Sequence, residues 1–189
     1  MVIESESILD IWRINNRVAT FLVENLPEQL WSASPSPDRQ RTARAILAHV
    51  HNTRGMWARV LGGRLDIPAF RKVDPRTVTR SELVTSLDRS AASILALLRG
   101  GMDAGGRFPG VAGAFVFGAL PRDVVTFLGY ALSHESHHRG QVVSSARHAG
   151  HRLPDPTTAG LWQWSTRLRE ARARGGGSRV HGTGCCPDA

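Results

Sequence analysis

The strongest indication of chemistry in this chain is a pair of histidines one helical turn apart, a spacing that allows both to bind one metal ion. His134 and His138 lie in the string HESHHRGQ, residues 134–141, inside a long helical pattern. Residues four apart stack on one helix face, so both imidazoles could bind one metal ion, as in the H-E-x-x-H zinc helices. The string formally matches that motif, with Glu135 where a metalloprotease carries its base. Because a helix turns by about 100° per residue, we expect Glu135 to point away from the pair and to be neither ligand nor close base.

A catalytic metal site generally needs a third protein ligand, and His49 is the best candidate. It lies in the middle of an earlier predicted helix, on its apolar stripe, and facing helices of a bundle commonly build metal sites. His51 lies about 200° further around that helix, so it faces away if His49 faces inward. A histidine on an apolar face is more often a hydrogen-bonded core residue than a ligand, and His137 could replace His138. The three spacings together predict a metal site at His49, His134 and His138.

The residues around the histidine pair admit two interpretations each. Tyr130, the only tyrosine, lies one turn before His134, and its hydroxyl either donates to a metal-bound ligand, as a candidate catalytic residue, or is satisfied in the core. Gly140 costs roughly 1 kcal/mol in a helix interior, which predicts a close helix contact there. Arg139 and Gln141 either support the ligands or are solvated.

The elements that position these residues are all predicted to be helical. Apolar side chains at helical spacing predict four main helices and a short additional C-terminal helix, at 5–25, 42–61, 80–100, 121–148 and 159–173. The third helix is expected to end at Gly100-Gly101 and the fourth to begin at Pro121. One strand-like stub, residues 114–117, interrupts the pattern. The fold class is therefore all-α, a four-helix bundle.

The two long connections, residues 62–79 and 101–120, exceed the usual length of loops between bundled helices and are typical of crossovers or functional lids. The chain of 189 residues fits one domain. We expect this domain to cover 1–174, with a glycine-rich disordered tail at 175–189 that contains the only cysteines, Cys185 and Cys186.

Charge and hydropathy limit the partners of the protein. The net charge is +8, Lys72 is the only lysine, and five arginines cluster between 167 and 179. A nucleic-acid site needs a basic stripe with a recognition motif or stacking aromatics, and neither is found, so we expect a basic tail that attracts anions weakly. No apolar run could span a membrane, and the acidic start lacks the features of a signal peptide. The prediction is a cytoplasmic protein without a membrane or specific nucleic-acid partner.

Two segments, ILAHVHNTRGMW at 46–57 and YALSHESHHRGQ at 130–141, resemble the DinB-like (DinB/YfiT-like) family of metalloenzymes, which includes bacterial thiol transferases. The closing LWQW at 161–164 is also similar, and the resemblance covers roughly residues 5–168. It implies an up-down-down-up bundle whose long connection after the second helix is a crossover. It also implies a three-histidine divalent metal site, here His49, His134 and His138, and chemistry with bacillithiol, mycothiol or glutathione.

The expected function is that of a metal-dependent transferase acting on a small-molecule substrate with a low-molecular-weight thiol. Zn²⁺ or Ni²⁺ is expected, with Fe²⁺ and Mn²⁺ as alternatives, since imidazole binds all of them. A metal-dependent hydrolase and a non-catalytic metal-binding or dimerising bundle linked to stress are the alternative functions, and a homodimer is left open. A pocket with polar groups beside the metal would favour an enzyme, whereas a sealed site would favour a structural role.

Overall fold

The computed structural model describes residues 5–32, 41–110 and 120–176. Of these residues 73% are helical and none is in a strand, which confirms the all-α prediction. The helices are α1 Ser5–Asn25, α2 Glu28–Trp31, α3 Ala43–Gly62, α4 Arg80–Asp103, α5 Val124–His148, α6 Asp155–Gly160 and α7 Trp164–Gly176. The stub at 114–117 and both cysteines lie outside the described residues.

The helices α1, α3, α4 and α5 pack around two apolar clusters, one toward each end of the bundle. One cluster takes residues from the later parts of α1 and α5 and the earlier parts of α3 and α4, among them Leu22, Leu47, Leu83 and Val142. The other takes the opposite parts of the same helices, among them Trp12, Trp57, Ile94 and Phe127. These pairings are consistent with the up-down-down-up path, in which α3 and α4 run against α1 and α5.

Side-chain caps set the starts of α3, α4 and α5. The Thr42 hydroxyl accepts the Ala45 N–H at 3.1 Å before α3, and Thr79 with Glu82 forms a capping box before α4. The Asp123 carboxylate accepts the Thr126 N–H at 2.9 Å. Since this carboxylate satisfies a free donor of the first turn, α5 begins at Val124, and the expected start at Pro121 is wrong.

The glycine pair expected to end the third helix lies inside α4, which continues to Asp103. A Cβ on Gly100 would lie 2.7 Å from the Leu65 side chain, and one on Gly101 would lie 2.6 Å from the Phe108 ring. The two glycines therefore allow the connections before and after α4 to pack closely against this helix. The chain turns instead at Gly105 and Gly106, where φ is 78° and 88°, a region that glycine enters without steric cost.

We expect Gly101→Ala to lower the free energy of unfolding by about 1–3 kcal/mol, because the added methyl group overpacks the core between Phe108 and Val124. Gly129→Ala is the matched control, since none of the residues that the structure describes lies within 4 Å of a Cβ added at this helical glycine. It should raise the free energy of unfolding by about 0.5–1 kcal/mol. Urea unfolding measures both values, and equal effects of the two substitutions would contradict the packing role of Gly101.

The C-terminal part differs from the prediction of one helix at 159–173. It forms α6 and α7, and α7 reaches Gly176, two residues beyond the expected domain end; residues 177–189 are not described. The short α2 was not predicted either. Helix α7 covers a side of α1, where Arg17 pairs with Glu170 at 2.5 Å and Arg167 lies 4.0 Å from the Phe21 ring centroid. This cover explains why α1 is buried well beyond its predicted apolar stripe.

Candidate metal site

Helices α3 and α5 bring the three predicted histidines together. The His49 ring centroid lies 5.7 Å from that of His134 and 4.7 Å from that of His138, and the latter two are 4.5 Å apart. One ring nitrogen from each histidine can be chosen so that all lie within 4.8 Å of one another. The convergence expected from helical phase is therefore present, and all three side chains are partly buried.

The electrostatic setting keeps these imidazoles neutral. Burial lowers the pKa of His49, His134 and His138, and repulsion among the histidines adds to the effect. For His134 the pKa falls to about 4. The positive charge of Arg41 lowers the pKa of His49 and His138 further. At neutral pH the cluster therefore presents ring nitrogens with free lone pairs, the form in which histidine binds a metal.

The hydrogen bonds of the cluster also suit a metal. His138 Nδ1 lies 2.8 Å from Gln141 Oε1, and because an amide oxygen only accepts, Nδ1 donates and Nε2 keeps its lone pair. That Nε2 lies 3.2 Å from His134 Nε2, while His134 Nδ1 is buried without a hydrogen-bond partner among the described residues. A histidine that binds a metal usually donates from its other ring nitrogen to an acceptor, as His138 donates to Gln141. Three neutral imidazoles thus fit Zn²⁺, Ni²⁺ and similar ions.

His137, the alternative ligand on α5, lies outside this group. Its side chain is exposed, and its ring centroid is 5.4 Å from that of His138. The described histidines that converge are those at 49, 134 and 138. His137 is therefore a suitable control position for experiments on the site.

Glu135 points away from the histidines, as expected, but it is fully buried in an ion pair that the sequence did not predict. Its carboxylate accepts from Arg54 Nε at 2.7 Å and Nη2 at 2.8 Å, and from Asn15 Nδ2 at 2.7 Å. Both charged side chains have no exposed surface. Burial raises the pKa of the Glu135 carboxyl, but the charge and hydrogen bonds of Arg54 outweigh it and lower the pKa. The available sequence signal was Asn15, a polar residue on the apolar stripe of α1.

Arg54 extends this network across the bundle. Its Nη1 donates to Asn16 Oδ1 at 2.8 Å and to the Leu87 carbonyl at 3.0 Å, and its guanidinium lies 4.9 Å from the Trp12 ring centroid. With Glu135, the contacts include residues of α1, α3, α4 and α5. The ion pair therefore fixes α3 against α5 directly beside the helix faces that carry the histidines.

His51 lies on the other side of α3 from His49 and is a core histidine. Its Nε2 is 2.9 Å from the Arg71 carbonyl oxygen, and its ring centroid is 4.8 Å from that of Phe70. It faces away from the cluster, as expected, but toward the long connection rather than solvent. Asn52 holds the same connection through hydrogen bonds of 3.0 Å with the backbone N–H and carbonyl of Val73.

Two further residues of the motif are placed by the structure. The Tyr130 ring stacks on the His134 ring with centroids 6.3 Å apart, and Tyr130 is 36% exposed, so it lies at the site; its catalytic role stays a prediction. Gly140 is exposed, and no described residue lies within 4 Å of a Cβ added there. The predicted close helix contact at Gly140 is therefore wrong.

A cleft of about 480 Å³ opens beside the cluster, a volume in the range of small-molecule sites. His138 forms part of its wall, and the other polar lining residues are Arg41, Gln141, Ser144, Ser145 and His148. A ligand in this cleft would therefore reach the cluster at His138. No aspartate or glutamate is found among the described lining residues.

These features define a helical bundle with a three-histidine cluster of metal-site geometry between α3 and α5. The profile of the DinB superfamily matches residues 12–142, a span that contains all three histidines, and the chain belongs to this superfamily, whose members are associated with metals. No curated protein and no solved structure is significantly similar to the chain. None of the described helices has the length and apolarity required to cross a membrane.

Proposed function

We propose that His49, His134 and His138 hold a divalent metal ion and that the protein is a metal-dependent transferase using a low-molecular-weight thiol. The observation that carries the proposal is the convergence of three neutral imidazoles at the edge of a polar cleft. A metal sealed under apolar side chains would suit a structural role, whereas an open cleft beside His138 suits turnover. Zn²⁺ or Ni²⁺ is the expected ion.

When bound, such an ion supplies positive charge that lowers the pKa of a thiol or water at neutral pH. The protein residues have separate tasks. Gln141 fixes the tautomer of His138 by accepting from its Nδ1. Arg41 gives the cleft a positive charge, which favours an anionic thiol such as one bearing a carboxylate.

The proposed transfer balances without a further reactant. The thiolate sulfur forms a bond to an electrophilic carbon of the acceptor, the leaving group departs with its bonding electron pair, and the thiol proton passes to solvent. Tyr130, which stacks on His134 and is partly exposed, is the proposed donor of a proton to the departing group, and it regains this proton from solvent. Hydrolysis is the second candidate, because the same cleft admits water in place of the thiol.

Transferase activity can be tested with protein purified without a histidine tag and loaded with Zn²⁺ or Ni²⁺. Glutathione, bacillithiol or mycothiol is supplied with 1-chloro-2,4-dinitrobenzene, and the absorbance of the thioether product is followed. We expect metal-dependent turnover that His49→Ala abolishes and His137→Ala retains, because His137 lies outside the cluster. Retention of metal with ester hydrolysis and no turnover of any thiol would contradict the transferase and favour the hydrolase.

A further inference from the structure

A second cavity lies on another side of α5, away from the histidine cluster. Its volume is about 440 Å³, again in the range of small-molecule sites. It is bounded by α1, α5 and the C-terminal segment that contains α6 and α7. Among the described residues, Ser144 is common to this cavity and to the cleft beside His138. The proposed metal site leaves this second cavity without a role.

Apolar and aromatic side chains form much of the wall of this second cavity. Val18 of α1 and Val143 of α5 lie on its inner side. Trp162 and Trp164 line it from the C-terminal segment, and they are 79% and 46% exposed. Large apolar side chains left exposed around a concave surface mark binding sites, and two indoles offer flat faces for an aromatic ring. The walls therefore suit a flat apolar ligand.

Two guanidinium groups give the second cavity its charge. Arg139 is held in place, since it donates to Asn15 Oδ1 at 2.9 Å and to Ser136 Oγ at 2.8 Å. Arg147 is exposed and forms no ion pair with a described residue. No aspartate or glutamate is among the described residues that line the cavity. Arg147 therefore offers a negatively charged ligand a guanidinium without a competing carboxylate in the wall, whereas the charge of Arg139 is partly balanced by the Glu135 carboxylate at 3.8 Å.

We propose that the second cavity binds a small aromatic carboxylate. Its ring lies against Trp162 and Trp164, and its carboxylate pairs with Arg147, in the field of the anchored Arg139. An arginine fork matches a carboxylate in shape and in hydrogen bonding. This site is independent of the metal and of the thiol chemistry proposed above.

The test uses the full chain without metal and two probes of similar shape, 1-naphthoate and uncharged 1-naphthamide. Binding is followed by the shifts of backbone amide signals in NMR titrations. We expect 1-naphthoate to shift the amides of 136–147 and 158–164 and to bind about tenfold more tightly than 1-naphthamide, as one charged hydrogen bond predicts. His138→Ala should leave both affinities unchanged.

Three variants locate the site. Arg147→Gln should weaken 1-naphthoate about tenfold and leave 1-naphthamide unchanged. Gly140→Leu should abolish binding of both probes, because its side chain fills the cavity from α5, where a Cβ meets nothing within 4 Å. Gly129→Leu is the matched control on the same helix, equally open and outside the lining, and it should bind both probes as the unsubstituted protein does.

Several results would overturn the proposal. They are equal affinity for the two probes, amide shifts that cluster outside the cavity, and unchanged binding by Gly140→Leu. A fourth is the finding that a protein dimer buries Trp162 instead of a small ligand. In that case sedimentation velocity would show a dimer that dissociates on dilution, and Trp162→Ser would abolish it. Neither probe would compete with dimer formation.

Discussion

Arg54→Met is expected to lower the free energy of unfolding by about 3–5 kcal/mol, the usual cost of removing one partner of a buried ion pair. The substitution leaves the Glu135 carboxylate buried with Asn15 at 2.7 Å and Arg139 at 3.8 Å, contacts that replace only part of the lost interaction. Methionine is similar in length and apolar, so the loss reflects charge more than volume. Urea unfolding followed by circular dichroism measures the change.

The double variant Arg54→Met/Glu135→Met should be less destabilised than the sum of its two single variants, because neither charge is then left alone. Arg152→Met is the surface control. Arg152 pairs with Asp155, whose side chain is 82% exposed, and such surface ion pairs contribute about 0–1 kcal/mol. Equal losses for Arg54→Met and Arg152→Met would refute the importance of the buried pair.

Glu135→Gln should leave the metal content unchanged and the activity largely intact, because Glu135 is neither a ligand nor a close base. The substitution weakens the buried ion pair, so the activity is measured at temperatures where the variant is folded. Loss of all activity with metal retained would favour the hydrolase.

Metal binding is expected to raise the melting temperature, and His138→Ala should remove most of that rise. A ligand at 100 times its dissociation constant stabilises the folded state by about 2.7 kcal/mol, or roughly 5–10 °C for a chain of this size. His138 supplies one of three converging nitrogens, and two imidazoles hold an ion far less tightly. Thermal unfolding with and without Zn²⁺, Ni²⁺ or Mn²⁺ measures the shift.

His137→Ala is the control for this experiment, because it removes an exposed imidazole from the neighbouring position. It should retain the full metal-induced rise. The fold without metal should stay helical in both variants, since the two apolar clusters do not include either histidine. Equal metal-induced shifts in the unsubstituted protein and in His138→Ala would show that His138 is not a ligand.

The sequence alone was sufficient to predict the all-helical class and the convergence of His49, His134 and His138. Helical periodicity decides which side of a helix a residue occupies, and residues four apart share that side. The meeting of His49 with the pair was expected because facing helices of a bundle commonly build metal sites and because the family resemblance implies the same three histidines. The same periodicity correctly predicted that Glu135 and His51 face away from the cluster. Metal binding itself, the thiol and the oligomeric state stay predictions.

Only the tertiary structure shows which residues contact the helix faces that point away from the histidine cluster. Glu135 pairs with Arg54, which is 81 residues away in the chain. Helical periodicity relates only residues a few positions apart, so it could not predict this pair. The glycines at 100 and 101 look like a helix end, yet α4 continues because Leu65 and Phe108 pack against them, whereas Gly140 lies beside an open cavity. Side-chain direction is a property of the local backbone, but the partner in that direction depends on the packing of remote segments, which a single sequence does not specify locally.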